Sequence, residues 1–461
     1  MLVNFLIKEG KIGTDNKMKV LITSSRAVLG KLYEWILKIP AFPYWILAFI
    51  AGIVATGYSI IFKWSELLLD KILAYNPYLF LIISPLGFFI AWFIVWKIAP
   101  YATGSGIPQV MVTLDKKEVA TKQTFWHGML GLKTTIIKIL SSIICLLAGG
   151  AVGKEGPTVQ IATSIFHSVG YKLRKMFHGK PGEAILVAGG SAGIAAAFNT
   201  PLGGIVYGIE ELSKEHLNKL KTPLITAVII AGVTAQWISG SYLYLGFPKL
   251  GEMSYTNIPW TIVVGVVAGM SGALFGKLLH WGLTQRKKIK KPSHLGLLAI
   301  ISGLVFALFI ILVDHKTLGS GTEVMINLLF AEDHANIYDI KLSIVRFIGP
   351  ILTQISGAAG GIFAPSLATG GAIGSVLSFF VDPEYHNLFV VLGMIAFLTG
   401  VTRVPFTCFV LVLEMTDRHS VIFLMMISAL IANIAARMVD NKSFYEKVRD
   451  DYLKEVYDDK N

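Results

Sequence analysis

The sequence contains few charged residues for its length. Only 15% of its 461 residues are Asp, Glu, Lys or Arg, whereas an average soluble domain has about 25%. A soluble chain of this size would need about three domains joined by polar linkers, but apolar stretches recur from residue 44 to residue 436. The composition therefore excludes a single water-soluble globule and indicates a polytopic membrane protein.

Cysteine is also scarce, and histidine forms no familiar metal-binding pattern. The two cysteines, Cys145 and Cys408, both lie within apolar stretches, which excludes a disulfide-stapled secreted fold. None of the ten histidines belongs to the zinc-binding pattern H-E-x-x-H. The sequence thus predicts no metal site, no cofactor and no metallopeptidase activity.

Basic residues outnumber acidic ones by 41 to 29, and they concentrate between the apolar segments. Such runs are typical of cytoplasmic loops in membrane proteins, so their position does not indicate nucleic-acid binding. The first 43 residues carry too many charges for a cleavable signal peptide, and we expect the first apolar segment to be retained. The main basic runs are at 8–38, 172–180, 214–221 and 286–291.

Apolar segments of two lengths alternate along the chain. A transmembrane helix needs about 20 apolar residues. Long segments lie at 44–64, 78–99, 124–149, 224–245, 260–283, 295–313 and 421–436. Shorter ones lie at 157–169, 184–198, 201–209, 365–380, 389–399 and 405–413. We expect the shorter segments to be partial helices, whose broken ends are tolerated at membrane depth only where they line a cavity or are buried in protein.

The glycine and proline positions reveal an internal repeat. Three motifs recur in the same order, at offsets of 215, 208 and 204 residues. Lys138 and Arg346 also recur, each fifteen residues before the glycine of a repeated pentapeptide. Interrupted helices at corresponding positions of two repeats indicate a secondary transporter with a site near the membrane midplane. The pairs are Gly104-Ser105-Gly106 with Gly319-Ser320-Gly321, Gly153-Lys154-Glu155-Gly156-Pro157 with Gly361-Ile362-Phe363-Ala364-Pro365, and Asn199-Thr200-Pro201 with Arg403-Val404-Pro405.

The breaks at Pro108, Pro157 and Pro365 predict an anion site. Proline suits the first helical position because its missing N–H has no helical partner there. The backbone amides at these helix N-termini are left free, and such amides bind anions without a full positive charge. A cation site would instead require carboxylates or unwound carbonyls, and a phosphate site a bidentate arginine. The free amides are those of Lys154, Glu155, Gly156, Ile362 and Phe363.

In their order and spacing, these motifs resemble the three filter motifs of the CLC chloride channels and chloride/proton antiporters. The resemblance runs from about residue 44 to residue 445 and is closest to prokaryotic members without C-terminal nucleotide-binding domains. It implies a chloride site formed by the Ser105 hydroxyl, the Ile362 and Phe363 amides and the Tyr445 hydroxyl, with Lys154 and Gly156 beside it. Members that prefer nitrate have proline in place of Ser105, so chloride is the expected anion.

Two positions differ from the family pattern. Lys154 stands where many bacterial members have arginine, which other branches replace with lysine. Gln109 and Met111 stand where some antiporters have carboxylates that support the proton route.

Two glutamates are expected to move protons. An ionised Glu155 can occupy the anion site made by its neighbouring amides, whereas a protonated Glu155 yields that site to chloride. Chloride and protons then compete for one place. In the family pattern Glu211 matches the internal proton acceptor of the antiporters, while Glu210 and Glu414 form a repeat-related pair that we expect to be structural.

Parts of the sequence are also consistent with three functions other than chloride/proton exchange. A passive voltage- or pH-gated chloride channel is the alternative within the family, and channels generally replace the residue at Glu211. A cation-coupled transporter with broken helices would require sodium. The run 189–193 fits the G-x-S-x-G pattern of hydrolases, but that pattern needs a preceding strand, and the small residues around it favour helix packing.

The resemblance also implies an architecture. We expect an all-α polytopic membrane protein with two inverted repeats of tilted and broken helices, at 44–222 and 223–439. A cytoplasmic arm at 1–43 and a short cytoplasmic helix and tail at 440–461 complete the predicted organisation. The implied assembly is a homodimer in the inner (plasma) membrane, with one pathway per subunit and both termini in the cytoplasm.

Overall fold

The backbone is helical throughout the membrane region, as the sequence predicts. The computed structural model describes residues 39–115, 128–177, 182–213, 217–240, 243–251, 255–312, 318–330, 340–381 and 383–458. Within these ranges the only β-type pairings are two isolated bridges, Gly104 with Ala359 and Gly153 with Gly361. The predicted arm therefore lies almost wholly outside the described residues.

Within the described ranges, the first half of the chain forms eight α-helices of very different lengths. They are α1 (Phe42–Tyr75), α2 (Phe80–Ile98), α3 (Ile107–Leu114), α4 (Leu132–Leu147), α5 (Glu155–Lys172), α6 (Ala184–Phe198), α7 (Pro201–Tyr207) and α8 (Leu217–Ser239). A π-helical turn, Gly208–Leu212, extends α7.

The second half repeats this series and adds a final helix. Its members are α9 (Ile258–Lys288), α10 (Pro292–Leu312), α11 (Thr322–Phe330), α12 (Ile340–Ser356), α13 (Phe363–Ser378), α14 (His386–Thr402), α15 (Pro405–Thr416), α16 (Ile422–Val439) and α17 (Phe444–Asp458). Long, short and intermediate helices follow one another in the same order as in α1–α8. The helix series therefore matches the repeat seen in the sequence.

Backbone conformation repeats at the breaks as well. Gly104 and Gly106 have φ angles of 65° and 100°, and their repeat partners Gly319 and Gly321 have φ angles of 64° and 88°. Outside glycine, Asn199 and Arg403 end α6 and α14 in the same left-handed conformation, with φ angles of 57° and 65°. The two halves thus share their turns as well as their helices.

A reciprocal pair of helix caps relates the halves by a pseudo-two-fold axis. The carboxylate of Glu414 accepts hydrogen bonds from the amides of Leu202 and Gly203 at the start of α7, at 3.1 and 2.8 Å. Glu210 does the same at the start of α15, where the Phe406 and Thr407 amides lie 3.2 and 2.6 Å away. The structural role predicted for this glutamate pair is confirmed.

Seven stretches of the described helices are long and apolar enough to cross a membrane. Six of them match long apolar segments of the sequence. The seventh, Pro383–Thr402, was expected to be a partial helix at 389–399, and that prediction is wrong. The polar residue His386 shortens the apparent apolar run, but the structure buries it between Ser378 Oγ and the Leu328 carbonyl, 2.7 and 3.1 Å away.

Three further expectations can be compared with the helices. The predicted repeat boundary at 222/223 falls inside α8, and pairing α8 with α16 would put the boundary after Ser239. Pro157 and Pro365 are the third residues of their helices rather than the first, although a proline in the first turn still forfeits no intrahelical hydrogen bond. The run 189–193 lies inside α6.

The second half contains a helix buried on all sides. Every face of α14 is buried, and α13 packs closely against it. A Cβ atom at Gly370 would collide with the Gly393 carbonyl, so glycine permits the two backbones to meet. This buried pair holds the start of α13 in a fixed position at the centre of the molecule.

Candidate anion and proton site

The starts of α3, α5 and α13 are joined by their preceding loops. Gly153 and Gly361 exchange two backbone hydrogen bonds of 2.8 Å, and the Gly104 amide donates to the Ala358 carbonyl at 3.1 Å. The amides in the first turn of a helix have no intrahelical acceptor. Joining three helix starts at one point therefore concentrates free amides and positive dipole ends there.

Two basic side chains hold the loop before α3 and the equivalent loop before α11. Nζ of Lys138 donates to the carbonyls of Gly104 and Thr103, at 2.9 and 3.3 Å. Arg346 donates in the same way to the carbonyls of Gly319 and Leu318, at 3.2 and 2.7 Å. Both side chains are fully buried. The two residues recur in the sequence because each donates hydrogen bonds to the carbonyls of the equivalent loop in its own repeat.

Ser105 is packed tightly against the first turn of α5. A Cβ atom at Gly106 would lie 2.8 Å from Gln160 Oε1 and 3.1 Å from the Gly156 carbonyl, and Gly106 also has a positive φ angle. A Cβ atom at Gly156 would collide with the Ser105 hydroxyl. Glycine at these two positions therefore allows the serine loop and the start of α5 to meet.

The hydroxyls of Ser105 and Tyr445 lie close to each other at this junction. Both residues are buried, 5% and 1% exposed, and neither hydroxyl has a hydrogen-bond partner among the described residues. Tyr445 also stacks on Phe363, the first residue of α13, with ring centroids 6.4 Å apart. Tyr445 therefore lies beside the first turn of α13, where the predicted amides of Ile362 and Phe363 lie.

Glu155 begins α5 and is fully buried. Its carboxylate faces the backbone amides of Glu155 itself and of Ala364 in the first turn of α13. Its Oε1 accepts a hydrogen bond from the Tyr244 hydroxyl at 3.4 Å. The carboxylate therefore lies among the amides of both half-helices, which is a position that suits a bound anion.

Lys154 and Gly156, on either side of Glu155, contribute differently. The Lys154 ammonium lies over the Tyr244 ring, 5.7 Å from its centroid. Gly156 instead faces Ser105. Of these two residues, only Gly156 is brought close to the serine.

Glu211 lies on the π-helical turn after α7 and is 5% exposed. It is within electrostatic range of both Tyr207 and Tyr445. Tyr207 is fully buried and packs its ring edge-on against Phe363 at 6.4 Å. The structure thus adds Tyr207, which the sequence motifs do not include, between Glu211 and the junction.

Two cavities reach the junction. The larger, of about 680 Å³, leads to Glu155 and is called the first vestibule below; Lys154, Glu66, Tyr244, Ser320 and Thr322 also line it. The smaller, of about 60 Å³, leads to Ser105 and is called the second vestibule; Gln109, Arg286, Gln354 and Tyr452 also line it. The junction therefore separates two openings of one chain.

The chain is similar to a known family and to named bacterial proteins. The family model described as "Voltage gated chloride channel" matches residues 87–437. A protein of Citrobacter koseri named H(+)/Cl(-) exchange transporter ClcA is 30% identical over 424 residues, which cover 87% of this chain and 85% of that protein. Its namesake in Salmonella agona is 31% identical over 388 residues, covering 80% and 77%.

Solved structures share the fold. A slow cyanobacterial Cl⁻/H⁺ antiporter superimposes with a TM-score of 0.77 at 22% identity, covering 90% of this chain and 98% of its own. A CLC-type fluoride/proton antiporter superimposes with a TM-score of 0.72 at 20% identity, covering 89% and 98%. Together with the length of the family match, these similarities show that the chain belongs to the voltage-gated chloride channel family, the CLC proteins.

Proposed function

We propose that this protein exchanges chloride for protons across the membrane. The observation that carries the proposal is the place of Glu155, whose carboxylate lies among the free amides at the starts of α5 and α13. The names of the relatives, exchange transporters in Citrobacter koseri and Salmonella agona, support the same activity. Chloride and protons are its substrates, and it needs no cofactor.

Chloride binds at the junction between the vestibules. The hydroxyls of Ser105 and Tyr445 are its side-chain donors, and the amides of Ile362 and Phe363 are its backbone donors. The amides of Lys154 and Gly156 contribute from the start of α5. Buried hydroxyls without protein partners support this assignment, because an unsatisfied buried donor is costly unless a ligand satisfies it.

Glu155 couples the two ions by competition. When ionised, its carboxylate occupies the anion position and closes the route between the junction and the first vestibule. Protonation removes its charge, so chloride displaces it from the amides. One proton is then taken up for each opening of the route, which is the physical basis of exchange.

Glu211 delivers protons to Glu155 from the opposite side. Its burial near Tyr207 and Tyr445 supports a proton route that is separate from the second vestibule. Glu211, Tyr207 and Tyr445 are not among the residues that line that cavity. A buried carboxylate in a chain that conducts chloride alone would be costly without purpose.

The protein is oriented with the second vestibule facing the cytoplasm of the cell whose inner (plasma) membrane it spans. α17 docks on the end of α9, where Lys287 lies 3.0 Å from Glu455, and this end continues into the basic run 286–291. Positive loops remain in the cytoplasm, so both the C-terminus and the N-terminus lie there. The family resemblance supports a homodimer with one pathway per subunit.

The pair Glu211 and Glu210 offers a matched test. Glu211→Gln removes the proton acceptor and should retain chloride transport while proton movement is lost. Glu210→Gln keeps one acceptor oxygen for the amides at the start of α15 and should retain both fluxes. Chloride and pH would be recorded together in liposomes. Intact proton coupling in Glu211→Gln would contradict the role of Glu211, and absence of coupling in the unmodified protein would indicate a channel.

A further inference from the structure

A continuous chain of hydrogen bonds leads from Glu66 in the first vestibule to Glu155. Oγ of Ser320 donates to Oε1 of Glu66 at 2.5 Å, and it lies 2.9 Å from Oγ1 of Thr322. That Oγ1 lies 2.8 Å from the Tyr244 hydroxyl, which donates to Oε1 of Glu155 at 3.4 Å. Three hydroxyls thus connect two carboxylates without a gap.

Burial explains why Glu155 needs such a connection. Its side chain has no solvent-exposed surface, although it borders the inner end of the first vestibule. Glu66 is only partly buried and borders the same cavity of about 680 Å³. A proton arriving from solvent therefore meets Glu66 before it meets Glu155.

We propose that Glu66, Ser320, Thr322 and Tyr244 form a proton relay between the first vestibule and Glu155. The inference rests on the proposed exchange function and adds to it the route by which protons pass between solvent and Glu155 on this side. Ser320 is the repeat partner of Ser105, so the two halves would use equivalent serines for different ions. No sequence motif indicates the relay, because its members come from α1, from the segment after α8 and from the start of α11.

The transfer balances at every atom. When Glu66 is protonated, the Ser320 hydroxyl first turns from Glu66 towards Thr322. Glu66 then gives its proton to Ser320 Oγ, and Ser320 passes its own hydroxyl proton to Thr322. Thr322 then protonates Tyr244, and Tyr244 releases its hydroxyl proton to Glu155. Four O–H bonds break and four form, and the hydroxyls return to their starting orientation by rotating. The same steps in reverse carry a proton outward.

The charges around Glu66 are mixed, so it does not lie in a purely acidic patch. Its own helix carries Lys63 and Asp70, and the residues facing it from other elements are Lys154 and Glu155 at the start of α5, Glu323 on α11 and Arg346 on α12. The cations keep the vestibule attractive to chloride, while Glu66 provides a carboxylate for protons. Both ions can therefore approach the junction through one opening.

Tyr244→Phe is the most informative substitution. It removes the hydroxyl shared by the last two hydrogen bonds but retains the ring, which packs on Phe198 with centroids 5.2 Å apart. Chloride-driven proton transport in liposomes at neutral external pH should fall about tenfold. This loss is smaller than the usual contribution of a positioned acid–base group, because water in the vestibule offers a slower parallel path for protons. The loss should diminish at acidic external pH.

Tyr58→Phe is the matched control. Tyr58 is an equally buried tyrosine on α1, but its hydroxyl bonds Ser142 at 2.8 Å and does not join the relay. Its removal should leave proton transport within about twofold of the unmodified rate, as for a substitution outside the transfer path. Thr322→Val, which keeps the side-chain shape, should repeat the loss seen in Tyr244→Phe and substitutes for it if that variant does not fold.

A second background separates a relay from a structural role. Glu155→Gln mimics the protonated carboxyl, so we expect chloride to cross without protons in that background, and adding Tyr244→Phe should leave its chloride flux unchanged. An equal loss of chloride flux in that background, or full proton transport in Tyr244→Phe and Thr322→Val, would overturn the relay. Proton coupling in the unmodified protein would still stand in both cases, whereas its absence would remove the proposed function and the relay together.

Discussion

At the scale of single residues, the junction contains two hydroxyls that the protein itself does not satisfy. Ser105 and Tyr445 are buried, and neither hydroxyl has a hydrogen-bond partner among the described residues. Hydroxyl donors favour a small anion that accepts hydrogen bonds strongly. The side chain at position 105 should therefore set the choice between chloride and larger anions.

Ser105→Pro should raise nitrate transport relative to chloride. Proline removes the hydroxyl donor, which weakens the hold on chloride more than on nitrate. The ratio of nitrate to chloride flux in liposomes measures the effect. Ser320→Ala, which removes the equivalent hydroxyl in the other repeat, should leave this ratio unchanged even where it slows proton transport. An unaltered ratio in Ser105→Pro would contradict the assignment.

Local sequence was sufficient to predict some of these residues. Ser105, Glu155 and Phe363 stand beside glycines and prolines whose conformational limits act within a few residues, so the breaks are visible in the sequence. Tyr207 and Tyr244 were missed because their importance depends on which helices pack together. Nothing in the residues around Tyr244 indicates that it bonds Thr322, 78 positions away.

At the scale of helices, the reciprocal caps of Glu210 and Glu414 join the two repeats. Each carboxylate satisfies amides at the start of the other repeat's short helix. Glu210 additionally accepts from the Thr407 hydroxyl at 2.7 Å. The caps thus fix α7, and with it the π-helical turn that carries Glu211.

Truncating either cap should destabilise the protein by a measurable amount. Glu414→Ala is expected to cost about 1–2 kcal/mol, the usual range for losing a helix cap, and Glu210→Ala somewhat more because it loses a third hydrogen bond. Thermal unfolding in detergent measures both. If Glu210→Ala unfolded at the same temperature as the unmodified protein, the capping role would be wrong.

Helix lengths were less predictable than helix breaks. The segment ending at Thr402 forms a span because α14 buries His386 with Ser378 and the Leu328 carbonyl. A hydropathy pattern counts histidine as polar, and it contains no information about partners 8 and 58 residues away. Tertiary hydrogen bonding therefore decided the length of this helix.

At the scale of the whole molecule, the inverted repeats produce two vestibules that meet at one junction. The long helix α9 has 31 residues, or about 46 Å, so its two ends lie on opposite sides of the membrane. Tyr255, just before it, is 82% exposed, and Lys290, just after it, is also exposed. These positions report the orientation of the protein.

Tyr255→Cys and Lys290→Cys should react with a membrane-impermeant maleimide from opposite sides. In intact cells only Tyr255→Cys is expected to be labelled, and Lys290→Cys should react once the membrane is opened. The native cysteines, Cys145 and Cys408, are both fully buried, so the unmodified protein is a low-background control. Labelling of Lys290→Cys in intact cells would reverse the proposed orientation.

The central claim is that one carboxylate, Glu155, makes chloride and protons exchange, and the unmodified protein tests it most directly. Liposomes are loaded with high chloride, placed in low chloride at equal pH, and held at zero membrane potential with potassium and an ionophore. Chloride leaving the liposomes should then draw protons inward, so the external medium becomes alkaline although no proton gradient exists at the start. Chloride efflux without any change in external pH would contradict the account.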